Sequence, residues 1–165
     1  MDVFFEQLIT IKKDIKTYLA YIGIAISAIL LMTVSLMLSR GLAVIVVFLV
    51  FWGAYKLYSM FNIEYEYIIT NSTMDIDKII AKSSRKRILN FDLTEVEHVE
   101  KYHAQLPQDI LNDALFACNK DDENAYLLII HPEGKAKQSI VIAPNERMRD
   151  AMKKFLPKYI ADNLI

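Results

Sequence analysis

The residues able to do chemistry are few and scattered. The three histidines and one cysteine are His98, His103, His131 and Cys118. No H-x-x-x-H or C-x-x-C spacing sets two of them on one turn, so metal ligation has no local frame. One cysteine excludes an intramolecular disulfide, and a lone thiol fits a reducing compartment. Asp75, Asp77 and Asp92 are of the type that pairs for general acid–base work. Acids alternating along a strand, however, read first as its solvent face. The four glycines, Gly23, Gly41, Gly53 and Gly134, lie outside any phosphate-cradling loop, and neither a G-x-S-x-G elbow nor a nucleotide fingerprint occurs. The expectation is a non-enzymatic protein with no metal and no cofactor.

One dense basic run stands out: Lys82, Arg85, Lys86 and Arg87. It reads as a loop over 82–87 and is the candidate anion- or partner-binding site. Near an anionic leaflet, each such charge contributes about 1 kcal/mol of attraction. The competing role is plainer, since charges on a hairpin keep it solvated and block edge pairing. From Asn62 onward the chain carries 14 Lys/Arg against 17 Asp/Glu. Nucleic-acid binding is therefore not expected, because it needs a cationic surplus to displace counterions.

The elements that position these residues start from an apolar anchor. No charged residue lies between Lys16 and Arg40. After Ser39-Arg40-Gly41 the apolar text resumes to Phe61, interrupted by Lys56. A bilayer core of roughly 30 Å needs about 20 apolar helical residues. Both runs satisfy this, and the 54% apolar content reflects them rather than a large core. The reading is a two-helix transmembrane hairpin over 17–61, too long and too closely followed by a second span for a cleaved signal peptide. Lys12, Lys13, Lys16 and Lys56 flank the outer ends against Arg40 at the turn, which places both termini in the cytoplasm. Tyr18, Tyr21, Trp52, Tyr55 and Tyr58 gather at the same interface. Mid-span there is no ionisable residue, which removes the simplest case for an ion or proton pathway. Gly23, Ala25, Ala28, Gly53 and Ala54 would let helices approach closely.

Before the anchor, residues 1–16 place Phe4, Leu8, Ile11 and Ile15 on one helical stripe, which predicts a short amphipathic helix. After it, 62–165 reads as one cytoplasmic domain, with strands at 64–70, 74–80, 88–91, 95–102, 115–118, 125–131 and 138–143. Asn71-Ser72 and 132–135 are turns, and 103–114 is a loop with a helical turn. A helix starts at Pro144-Asn145, with Asn145 as cap and Met148, Ala151, Met152, Phe155 and Leu156 as its apolar stripe, and Pro157 perturbs it or ends it nearby.

Seven strands and a closing helix follow the order of the pleckstrin-homology (PH) superfold. Tyr67-Ile68-Ile69-Thr70-Asn71, a basic turn, then Ile88-Leu89-Asn90-Phe91-Asp92-Leu93-Thr94-Glu95-Val96-Glu97 resembles the bacterial PH-like domains that follow transmembrane pairs. Ala143 to Leu156 is similar to their last strand and closing helix. The resemblance implies an α+β membrane protein: a transmembrane hairpin, then a bent seven-strand antiparallel sheet or barrel closed by a C-terminal helix. It names a family of small bacterial two-span proteins of unknown function. In eukaryotic PH domains, inositol phosphates dock on Lys/Arg between the first two strands. That loop here is Asn71-Ser72-Thr73, so phosphoinositide binding does not carry over.

The expected function is a membrane-anchored, non-catalytic binding or scaffolding module at the cytoplasmic surface of the cell membrane. Its expected partners are the bilayer and a protein partner or second copy. Two alternatives stand beside it: sensing of anionic lipid headgroups through the 82–87 run, and service as an accessory subunit of a transporter or enzyme complex. Edge strands offer a further mode, because an extended peptide can add to a sheet.

Overall fold

The computed structural model describes residues 3–38, 40–103, 106–132, 134 and 136–164. The chain divides into two compact units. One comprises Met1–Ile11, Glu64–Ile79 and Arg85–Ile165; the other comprises Lys12–Ile63 and Ile80–Ser84.

In the second unit, helices α1 (Ile15–Leu38) and α2 (Arg40–Met60) pack on one another. Helix α1 is long and apolar enough over Ile15–Met37 to cross a membrane, and only 6% of its most apolar window is buried in the chain. The apolar part of α2 among the described residues, Val44–Met60, is shorter. Hydroxyls inside α1 are satisfied locally: Ser27 donates to the Gly23 carbonyl at 2.9 Å and Thr33 to the Ile29 carbonyl at 3.1 Å. This is how a polar group is tolerated in an apolar helix. At the start of α1 the Tyr21 ring lies 4.6 Å from that of Tyr58 near the end of α2. Lys13 sits over both rings, at 5.2 and 4.9 Å. The expected turn pivots on Ser39, which lies outside the described residues; Arg40 already belongs to α2.

The first unit carries eight strands among the described residues, in two four-stranded sheets. Strands β1 (Phe4–Thr10), β2 (Ile63–Thr70), β3 (Thr73–Ile80) and β4 (Ser84–Asp92) form one sheet in sequence order. Strands β5 (Val96–Lys101), β6 (Leu115–Phe116), β7 (Tyr126–Ile130) and β8 (Gln138–Ile142) form the other in the order β5-β7-β8-β6. Among the described residues neither sheet is closed, so the single seven-strand sheet or barrel expected is instead two four-stranded sheets. Strand β6 pairs parallel to β8 over two residues, so the second sheet is mixed rather than antiparallel.

Strand β1 corrects the amphipathic helix expected over 1–16. It pairs antiparallel with β2, Phe4 opposite Thr70 through Thr10 opposite Glu64. The i, i+4 stripe of Phe4 and Leu8 is real as spacing, but both residues are exposed while Phe5, Gln7 and Ile9 turn inward. Period 2 prevails because the edge of β2 supplies seven residues of pairing that no isolated 16-residue helix could match. Gln7 then holds the strand to the far end of the chain: its amide donates to the Ala143 carbonyl at 2.9 Å and accepts from the Asn145 amide at 2.8 Å.

Tyr65, Tyr67, Ile69, Met74 and Ile76 alternate inward on β2 and β3. Tyr67 is fully buried, and its hydroxyl donates to the Ala117 carbonyl at 2.7 Å and accepts from the Ala143 amide at 3.3 Å. Strand β7 is buried on consecutive residues, Tyr126, Leu127 and Leu128, so both its faces are covered, as its unbroken apolar text requires. Leu127 and Val141 pack with Leu106, Cys118, Ala125 and Ala143. The segment 103–114 contains helix α3 (Gln108–Asn112). Helix α4 (Glu146–Lys153) is capped by the Asn145 carboxamide accepting from the Met148 amide at 2.9 Å. It buries Met148, Ala151 and Met152 and packs by β1. After Pro157, α5 (Lys158–Ala161) packs by β5. Of the turn expected at 132–135, Glu133 and Lys135 lie outside the described residues.

Candidate functional site

The β3–β4 connection is a tight turn. The Ser83 amide donates to the Ile80 carbonyl at 3.2 Å, and Ala81 and Lys82 both have φ of 56°. Two successive left-handed residues make the type I′ geometry whose twist suits a two-residue hairpin. Lys82 is therefore at the tip, exposed. The other three cations are not in a loop. Strand β4 begins at Ser84, so Arg85, Lys86 and Arg87 lie on it, which corrects both the basic loop over 82–87 and the start of the strand expected at Ile88.

Their placement decides what they can do. Arg85 Nη2 lies 2.5 Å from Glu66 Oε2 on β2. Arg87 reaches two acids on β3, Asp75 Oδ2 at 3.0 Å and Asp77 Oδ1 at 3.1 Å. Asn90 donates to Asp75 Oδ1 at 2.5 Å. Glu66 and Asp77 are each 4% exposed, so the acids are not a simple solvent face: the guanidiniums lie over them. Burial pushes the Glu66 carboxyl above its usual range, a hydrogen bond with Glu6 on β1 adds to that, and Arg85 pulls the other way. Lys86 and Lys82 are exposed and make no ion pair among the described residues. The four basic residues are thus two pairs of different kind, one neutralised within the sheet and one free.

Several other chemistry-bearing residues are engaged in local contacts. Asp92 caps the 3₁₀ turn Leu93–Glu95. Its Oδ1 accepts from the Thr94 amide at 2.9 Å and the Thr94 hydroxyl at 2.6 Å, and its Oδ2 accepts from the Ser72 hydroxyl at 2.6 Å. Partial burial works to raise its carboxyl, but these three bonds outweigh it and hold the group below its usual value. Glu95 completes the capping box by accepting from the Asp92 amide at 3.1 Å. Reciprocal bonding of this kind is written in the sequence as D-x-x-E before Val96. His131 Nδ1 lies 2.8 Å from Glu97 Oε1, and Lys137 donates to Glu97 Oε2 at 2.6 Å. Lys137 first, then His131, hold the Glu97 carboxyl below its usual range. Glu97 is reachable by both because it is the extra residue of a bulge between β5 and β7, and bulges re-aim side chains. His98 lies 3.4 Å from Glu100. Cys118 is buried, and burial pushes its thiol up to about 12. Among the described residues no group of three or more His, Cys, Asp or Glu is placed to hold a metal ion.

A cleft of about 470 Å³ opens elsewhere on this unit, lined by Ile88 and Leu89 of β4, Ile110 and Asp113, Leu115 of β6, and Lys137, Gln138 and Ser139 at the start of β8. Nothing in the residue types marked it beforehand; it arises from how the two sheets end. Residues 1–162 match the family described as a bacterial PH-like domain (DUF6106). The chain belongs to this family. The match includes β1 and both helices, so they are part of the pattern that carries the PH-like domain. No curated protein and no solved structure shows a significant match to the chain.

Proposed function

We propose that this chain is an integral membrane protein with two spans and cytoplasmic termini, whose PH-like domain is a non-catalytic binding or scaffolding module at the cytoplasmic membrane surface. The observation that carries the reading is the bare apolar surface of α1: Ile22, Ile26, Ile29 and Leu30 are all more than half exposed. On α2 the same holds for Phe48, Phe51 and Trp52. A core helix of this composition would be covered by its own protein; here lipid supplies the cover. Lys13 over Tyr21 and Tyr58 supports an interfacial end to both helices, where amphipathic rings and snorkelling lysines settle. The cations at that end, against Arg40 at the other, support the inward orientation.

A binding role is supported by the family and by the use to which the reactive side chains are put. Asp92 caps a turn, Asp75 and Asp77 hold Arg87, and Cys118 is buried. Lipid sensing through the basic run has less support, because Arg85 and Arg87 already face acids and Lys82 and Lys86 remain.

Gentle detergent extraction of the tagged chain from its native membrane, followed by mass spectrometry, tests the reading. A stoichiometric protein partner is expected, and its identity separates a scaffold from an accessory subunit. Release of the chain by alkaline carbonate, or turnover lost on changing His98 or Asp92, would contradict the reading.

A further inference from the structure

We propose that the cleft beside β4 receives an extended peptide segment of another protein, acidic in one half and apolar in the other, which adds to β4 as a further strand. The inference rests on the reading of the domain as a binding module and says what it binds and where. Ile88 and Leu89 both line the cleft. Consecutive strand residues point to opposite faces, so a cavity touching both faces the edge of the strand. The same holds for Gln138 and Ser139 of β8. Strand β4 is the last of its sheet. Strand β6 covers β8 only at Ile140 and Val141, leaving the start of β8 bare on that side among the described residues. Two free edges thus flank one cleft, and its volume lies in the range of ligand sites. A strand edge exposes unpaired N–H and C=O groups, which an extended peptide satisfies in strand addition.

The side chains along β4 state the partner's chemistry. Ser84 to Arg87 are exposed, with Lys86 free of any ion pair among the described residues and Arg85 and Arg87 half exposed. Ile88 and Leu89 are half-buried. Opposite charges across a strand pair stabilise it and like charges do the reverse. Arg85 and Arg87 are already matched by Glu66, Asp75 and Asp77, so an acid belongs opposite Lys86 and apolar residues opposite 88–89. A second copy offering its own β4 has no free acid to set opposite Lys86, since the one carboxylate of that strand, Asp92, is held by Ser72 and Thr94, which argues for a different protein.

The test uses the full chain in neutral detergent micelles and fluorescein-labelled synthetic octapeptides, glutamate-rich in one half and valine-rich in the other, made in both sequence orders. Saturable anisotropy is expected for one order. Exchange of its glutamates for lysine, or Lys86→Glu in the protein, should weaken binding at least tenfold, and the lysine peptide should regain affinity for Lys86→Glu. Methylation of alternate backbone nitrogens should abolish binding in the phase that removes the donors facing the edge and spare it in the other phase. Lys86→Glu is a surface change that leaves the sheet intact; Leu89→Pro, which deletes an amide of β4, is the harsher companion. Absence of saturable binding in either order, or binding indifferent to N-methylation in both phases, overturns the proposal. So does binding of short-chain phosphatidylglycerol, lost in Lys86→Glu, with no peptide binding. A native partner that copurifies equally with wild type and Lys86→Glu keeps the binding-module reading and overturns the β4 edge.

Discussion

Arg85 has its first effect inside the domain, because the carboxylate it faces is buried. Removing it by Arg85→Ala leaves Glu66 without its cation, a change expected to cost about 1–3 kcal/mol at neutral pH. The sign with pH follows from the raised Glu66 carboxyl. Its neutral form is favoured in the folded state, so its contribution to stability improves as pH falls through the folded value and worsens as pH rises. The penalty of Arg85→Ala should therefore shrink on acidification, measured by urea melts at neutral and mildly acid pH. Lys86→Ala, by contrast, should stay within about 0.5 kcal/mol of wild type. Asp92 behaves oppositely. Its carboxyl is held below the usual value of 3.8, so its stabilisation is present above that and lost as pH falls through the folded value. Asp92→Ala should cost about 0.5–2 kcal/mol through the lost cap, read as a lower thermal midpoint at neutral pH. Tyr67→Phe should cost about 1–3 kcal/mol, since the Ala117 carbonyl and Ala143 amide lose their buried partner.

At the scale of elements, sequence patterns worked where the deciding interaction is local. The apolar run that became α1, the left-handed Asn71 with φ of 56°, the Asn145 cap and the alternation of β2 all rest on neighbours within a few residues. They failed where the deciding partner is distant. Phe4 and Leu8 fit a helical stripe until β2, about sixty residues on, offers its edge. Arg85 and Arg87 read as loop charges because the acids they meet lie on two other strands. The cleft beside β4 was illegible for the same reason, being a property of where two sheets stop. The β3–β4 turn allows a direct check. Ala81 and Lys82 occupy left-handed conformations that L-residues adopt at a cost, while Asn-Gly suits type I′. The double change Ala81→Asn, Lys82→Gly should raise stability by about 1 kcal/mol in chemical denaturation, and no gain would show that the turn is held differently.

For the molecule as a whole, the consequence of β1 is that anchor and domain are not consecutive modules. The sheet begins at Phe4, the chain leaves it for α1 and α2, and returns at Ile63 to pair with the strand it left. Deleting residues 1–10 should expose the edge of β2 and break the Gln7 bonds to Ala143 and Asn145, giving aggregation or a strongly lowered melting point even when the helices are kept. A fragment starting at Asn62 should fare no better. The central claim, two spans with the PH-like domain inside the cell, is tested most directly by cysteine accessibility. Cys118 is unsuitable as a reporter because it is buried, with its thiol pushed up to about 12. In a Cys118→Ala background, Arg40→Cys and Tyr159→Cys, the latter at a position 75% exposed, are treated in intact cells with a membrane-impermeant maleimide. The expected result is labelling at position 40 from outside and at 159 only after permeabilisation. Labelling of both from the same side would contradict the topology, and the reverse pattern would place the domain outside the cell.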